Sequence, residues 1–108
     1  METSGPGRLV LAALVGVALS AARAHAGADE GKTLYDQKCK SCHSIGSDAG
    51  KMANVGGKLD GVGSKRDTAW LKAYIADPKS QMPNAKMPKI KLEPAQLDDL
   101  VAYMLTLK

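Results

Sequence analysis

Apolar side chains recur at helical spacing in two parts of this 108-residue chain. Trp70, Leu71, Tyr74 and Ile75 fall on one face of a segment that Asp67 or Thr68 can cap and that Pro78 stops. Leu97, Leu100, Val101 and Met104 repeat at i, i+3, i+4 and i+7 with Tyr103 beside them, while Asp98, Asp99 and Lys108 lie outside the stripe. Glu93-Pro94 opens that last helix, with proline at a favoured first-turn position. A third, shorter helix is predicted over Gly31 to Lys38. It begins near Asp29, where Asp29 and Glu30 suit the positive end of the helix dipole, and Leu34 and Tyr35 face inward. Between these segments the pattern breaks down. Residues 45–63 hold six glycines in nineteen positions and read as loop, and residues 78–88 hold three prolines and read as an extended or turn-rich segment. No stretch alternates as a strand would. The chain reads as all-α: about three helices joined by long loops of a kind that compact domains keep where they line a ligand.

The amino-terminal end takes length away from this domain. Arg8 precedes an apolar run of eleven residues, Leu9 to Leu19, followed by small residues that include Ala22-Arg23-Ala24 and Ala24-His25-Ala26. This is the layout of a secretory signal peptide over residues 1–26, cleaved after Ala26 or alternatively after Ala24. The run is too short for the roughly 20 residues of a bilayer span, so no stable membrane anchor is expected. Residues 27–108 then form the mature domain of 82 residues, with Tyr35, Trp70, Tyr74 and Tyr103 as its aromatic residues. A core this small secures only about 3–5 kcal/mol and needs a staple.

Both cysteines and one of the two histidines stand in one pentapeptide, Cys39-Lys40-Ser41-Cys42-His43. That spacing is a c-type haem attachment signal. Two thiols two residues apart can add across the two vinyl groups on one porphyrin edge, and the adjacent histidine is then carried to the iron as an axial ligand. A bare CxxC would equally suit a thiol redox or zinc module, but those do not call for His43 or for a methionine-bearing loop. Loss of residues 1–26 removes His25 and leaves His43 as the sole histidine. A second axial ligand would therefore come from methionine: Met52, Met82, Met87 or Met104. Met104 belongs to the apolar stripe of the last helix, and Met52 lies close in sequence to the His43 side. Met82 and Met87, each followed by proline, both remain candidates on these grounds.

Taken together, residues 27–108 resemble the class I cytochromes c. The resemblance rests on the pentapeptide, on Gly31 and Tyr35 opposite Tyr103, on Val55-Gly56 with Leu59 and Gly61, and on Lys86-Met87-Pro88 ahead of the last helix. It implies the small cytochrome c fold, three to four short helices wrapped around one covalently bound haem c. It also implies that Met87 rather than Met82 is the sixth ligand, and that Tyr74 is a contact on the methionine side. A backbone carbonyl at Gly57 is expected to accept the proton on the second nitrogen of His43. Gly57 stands where the family usually has proline, which predicts a looser loop and a less fixed hydrogen bond. Lys65 and Arg66 are candidates to balance a haem propionate.

Charge bears on partners more than on fold. The full chain carries +4, and residues 27–108 keep thirteen Lys/Arg against ten Asp/Glu. The basic residues are dispersed, without an arginine-rich tract or interleaved aromatics, so nucleic acid is not the expected partner. Lys38, Lys40, Lys79, Lys86 and Lys89 flank the segments expected to border the haem edge and would steer an acidic redox protein. The expectation is a monomeric, exported, periplasmic electron carrier without enzymatic activity, ligated by His43 and Met87. The competing reading is a haem-based small-ligand sensor or weak peroxidase with an open sixth position.

Overall fold

The computed structural model describes residues 27–108; the leader assigned to residues 1–26 lies outside the described residues. In chain order the elements are α1 (Gly27–Lys38), β1 (His43–Ile45), β2 (Asp48–Ala49), α2 (Ala53–Gly56), β3 (Gly57–Lys58), α3 (Val62–Lys65), α4 (Thr68–Ala76), α5 (Pro78–Gln81) and α6 (Pro94–Met104). Helices α1, α4 and α6 are the three that the sequence predicts. The first of them starts at Gly27 among the described residues, so Asp29 and Glu30 occupy its first turn rather than its cap.

Helices α1 and α6 form the most extensive contact between elements. Gly31 makes it possible: a Cβ there would run into the backbone carbonyl of Asp99 and come within 2.7 Å of the Tyr103 Cβ. Close backbone approach lets Leu34 and Tyr35 pack with Leu100, Val101 and Met104, and Leu71 and Ile75 of α4 join the same core. Each such aliphatic side chain contributes about 1.5–3 kcal/mol by leaving water. The Tyr35 and Tyr103 rings meet at 5.8 Å between centroids with a 48° tilt. Tyr35 is fully buried, yet its hydroxyl has no hydrogen-bond partner. Burial above all, with smaller contributions from Cys39 and Tyr103, pushes its pKa up to about 12.

Local chemistry sets the helix ends. The Asp67 carboxylate accepts the Trp70 N–H at 2.9 Å and starts α4. At α6 the Glu93 N–H donates to the Gln96 side chain at 2.9 Å, and Pro94 takes the first turn.

The expectation of an all-α chain needs two corrections. A small sheet of order β2-β1-β3 follows the cysteine turn, with β1 antiparallel to β2 and parallel to β3. Its strands are two or three residues long, too short to show alternation. The described residues also contain six helical segments, because α2, α3 and α5 are single turns of four residues. Residues 78–81, in the segment expected to be extended or turn-rich, form one of these turns with the buried Pro78 at its start. Proline's fixed φ and missing N–H suit that position.

Candidate functional site

The pentapeptide leaves α1 in a tight turn: the Cys42 and His43 N–H groups both donate to the Cys39 carbonyl at 3.1 Å. The glycine-rich loop then grips its outer side. The carbonyls of Lys40, Ser41 and Cys42 accept the N–H groups of Gly50 (3.1 Å), Met52 (2.9 Å) and Gly56 (2.7 Å). Two of these three donors must lack a side chain, since a Cβ on Gly50 would meet the Lys40 carbonyl and one on Gly56 the Cys42 carbonyl. The Gly56 Cβ would also come within 2.8–2.9 Å of the His43 ring. The sequence places Gly56 only in a loop beside the histidine; the clamp itself is signalled there by nothing more than the glycine spacing.

His43 Nδ1 lies 3.1 Å from the Gly57 carbonyl, across the parallel pairing of β1 and β3. A carbonyl only accepts, so the bond puts the imidazole proton on Nδ1 and leaves Nε2 free as a ligand. Gly57 has φ 83° and ψ −173°, a backbone conformation essentially restricted to glycine. Proline, the residue usual here in the family, cannot adopt it. The carbonyl is thus presented by a differently shaped backbone, where a looser version of the same loop was expected.

His43 and Cys39 open onto a largely apolar cavity of about 220 Å³. Leu59 and Val62 form one part of its wall, and Trp70, Leu71, Tyr74 and Ile75 of α4 form another. Met82, Met87 and Met104 also line it; Met52 is exposed and does not. Met104 is both a core residue and part of the wall. Lys65 and Arg66 stand at the cavity as its cationic lining residues. The Arg66 guanidinium lies 3.9 Å from the Trp70 ring centroid, and Trp70 stacks on Tyr74 at 4.9 Å and 9°. Arg66 is therefore held over an aromatic face.

Cys39 is buried and Cys42 half-buried, and no disulfide joins them. Burial, reinforced by Cys42, pushes the Cys39 thiol up to about 11. Cys42 Sγ lies 3.8 Å from the Ser41 hydroxyl, and Cys42 is not a cavity-lining residue.

Cys39 and His43 on a largely apolar cavity, with Cys42 in the same turn and with methionines and two cations in the lining, are a donor set that fits covalent haem. The chain belongs to the cytochrome c family, whose model matches residues 28–108. It is a class I c-type cytochrome with covalently bound haem c, and its role is haem-based electron transfer. A relative of the same family is cytochrome c-550 from Nitrobacter winogradskyi, 34% identical over 98 residues that cover 70% of this chain and 86% of that protein. No solved structure matches the chain. Among the described residues, no helix is long and apolar enough to cross a membrane.

Proposed function

We propose that the protein is a single-haem electron carrier with His43 and Met87 as axial ligands, exported to the periplasm by residues 1–26 and active there as a soluble monomer. The observation that carries this reading is that His43 and Met87 line the same apolar cavity while His43 Nδ1 is engaged by Gly57. When bound, haem c supplies one-electron chemistry at iron. The chain's residues do the rest. Cys39 and Cys42 hold the group by thioethers. The Gly57 carbonyl fixes the His43 tautomer and raises the ring's basicity. Met87 offers a thioether that favours the reduced state and raises the potential. Leu59, Val62, Leu71 and Ile75 exclude water, and Lys65 and Arg66 supply positive charge for propionates. With His43 and Met87 both holding the iron, no position would remain for a substrate, which supports a carrier rather than an enzyme.

The partner is an acidic redox protein. Lys38, Lys79, Lys86 and Lys89 are exposed, whereas Lys40 is paired with Asp48 at 2.9 Å. That contact raises the Lys40 pKa through its hydrogen bond to Asp48. Steering by the exposed lysines makes the association rate with an acidic partner fall as salt is raised. A rate independent of ionic strength would remove the acidic-partner reading.

Axial ligation is tested on the purified holoprotein. The ferric form should show the weak near-infrared sulfur-to-iron band, lose it on Met87→Ala, and bind carbon monoxide poorly when reduced. Rapid carbon monoxide binding by the native protein would turn the reading toward a small-ligand sensor.

A further inference from the structure

Two methionines of the same short segment line the cavity that His43 faces, and the proposed ligation uses only one of them. We infer that Met82 is a reserve thioether for the axial position, one that takes the place of Met87 when Met87 leaves it. The inference rests on the His43/Met87 reading.

Met82 lines the cavity that His43 also lines, on a backbone held at two points. Its N–H donates to the carbonyl of buried Pro78 at 3.0 Å, and its own carbonyl accepts the Ala85 N–H at 2.9 Å. Its backbone is therefore fixed at the cavity's edge from both sides. Its side chain is 46% exposed although it lines the cavity, so the core does not hold it and it is free to change rotamer. Methionine has three rotatable side-chain bonds and adapts readily to such a move.

Met87 sits on a weaker support. Among the described residues, no hydrogen bond involves residues 86–89; the next backbone contact is the Ile90 N–H to the Ile75 carbonyl, long at 3.4 Å. The proposed ligand thus rides on the less restrained end of the segment and the reserve on the anchored end. Both are Met-Pro dipeptides, in which proline biases the preceding residue toward extended backbone; Met82 has φ −134° and ψ 103°. Met82 therefore has the same local chemistry as Met87, the same cavity and a firmer anchor.

The test uses the holoprotein with Met87→Leu, Met82→Leu and the double substitution; the thioethers at Cys39 and Cys42 retain the haem in each. Met87→Ala supplies a second replacement if the leucine variant is not recovered folded. Met82→Leu should keep the native near-infrared band. Met87→Leu should keep a shifted sulfur-to-iron band that the double variant lacks. It should also bind carbon monoxide at least about tenfold more weakly than the double variant, because apparent affinity scales with the fraction of molecules whose site is open.

The inference is overturned if Met87→Leu has no such band, becomes nitrogen-ligated, or binds carbon monoxide as tightly as the double variant. In that case an unchanged Met82→Leu spectrum leaves the Met87 assignment standing. Loss of the native band in Met82→Leu, with Met87→Leu unaffected, overturns the Met87 reading itself.

Discussion

Replacing Gly57 with proline tests how this chain holds its histidine. General chain physics favours the substitution: proline is the family's usual residue here, and fewer unfolded conformations would add about 0.4–1 kcal/mol where the native backbone accepts it. This backbone does not. Gly57 has φ 83°, nearly 150° from the value of about −65° that proline imposes. The Gly57 N–H also donates to the Ala53 carbonyl, a bond proline would delete at about 1 kcal/mol. Forcing an ordinary side-chain-bearing residue into this glycine-only region costs about 1–3 kcal/mol, and proline cannot enter it at all, so the loop must rearrange and Gly57→Pro loses at least about 2 kcal/mol. Gly57→Ala isolates the conformational part, since a Cβ there meets nothing within 4 Å, and should lose about 1–3 kcal/mol. Denaturant unfolding of the ferric holoprotein reads both as shifts in midpoint at constant m. A second readout is slowed or accelerated exchange of the His43 Nδ1 proton, which reports whether the Gly57 carbonyl still accepts it. The reasoning fails if Gly57→Pro is as stable as the native protein and keeps that proton protected.

Tyr35→Phe removes a buried hydroxyl that has no partner and should leave stability at neutral pH unchanged or up to about 1 kcal/mol higher. The native state holds the Tyr35 proton to about pH 12, whereas an unfolded tyrosine releases it near 10. The unfolded chain therefore binds fewer protons in that window, and stability that is whole below pH 10 falls by up to about 2–3 kcal/mol as pH rises to 12. Unfolding curves across that range should show this slope in the native protein and a shallower one in Tyr35→Phe; equal slopes refute it. Gly31→Ala should cost about 3 kcal/mol or more by driving α1 off the Asp99 carbonyl, seen as a lowered unfolding midpoint. A loss below 1 kcal/mol would show that α1 and α6 do not cross so closely.

Much of the site was legible because its information is local. The pentapeptide carries its own chemistry, and the faces of α4 and α6 declare themselves by period, as does the Asp67 cap by its position. What escaped was decided by tertiary hydrogen bonds. The hydrogen bond between His43 and Gly57 follows from the family resemblance, but the parallel pairing that carries it joins residues fourteen apart through strands too short to leave a pattern. The roles of Gly50 and Gly56 as donors to the cysteine turn depend on where the loop folds back. Gly57 shows the limit most clearly. Read as proline's loose substitute, it predicts a softer version of a common loop, but its positive φ makes it a different backbone conformation that only glycine readily adopts. Likewise, the family resemblance separates Met87 from Met82 in sequence, while the cavity draws both to the same place.

The crossing of α1 over α6 makes the fold a check on its own completion. During synthesis α1 emerges well before its principal partner, α6. Until residues 94–104 arrive, Leu34 and Tyr35 have no α6 surface to bury against, and the core cannot close. Since the Cys39 turn directly follows α1, the attachment cysteines remain on an open, accessible chain for as long as α6 is missing. A product truncated before Pro94 would stay open, and quality-control proteases would recognise it by exposed apolar surface. Helix α6, which carries none of the attachment chemistry, would thus decide whether a chain bearing the motif survives as a protein.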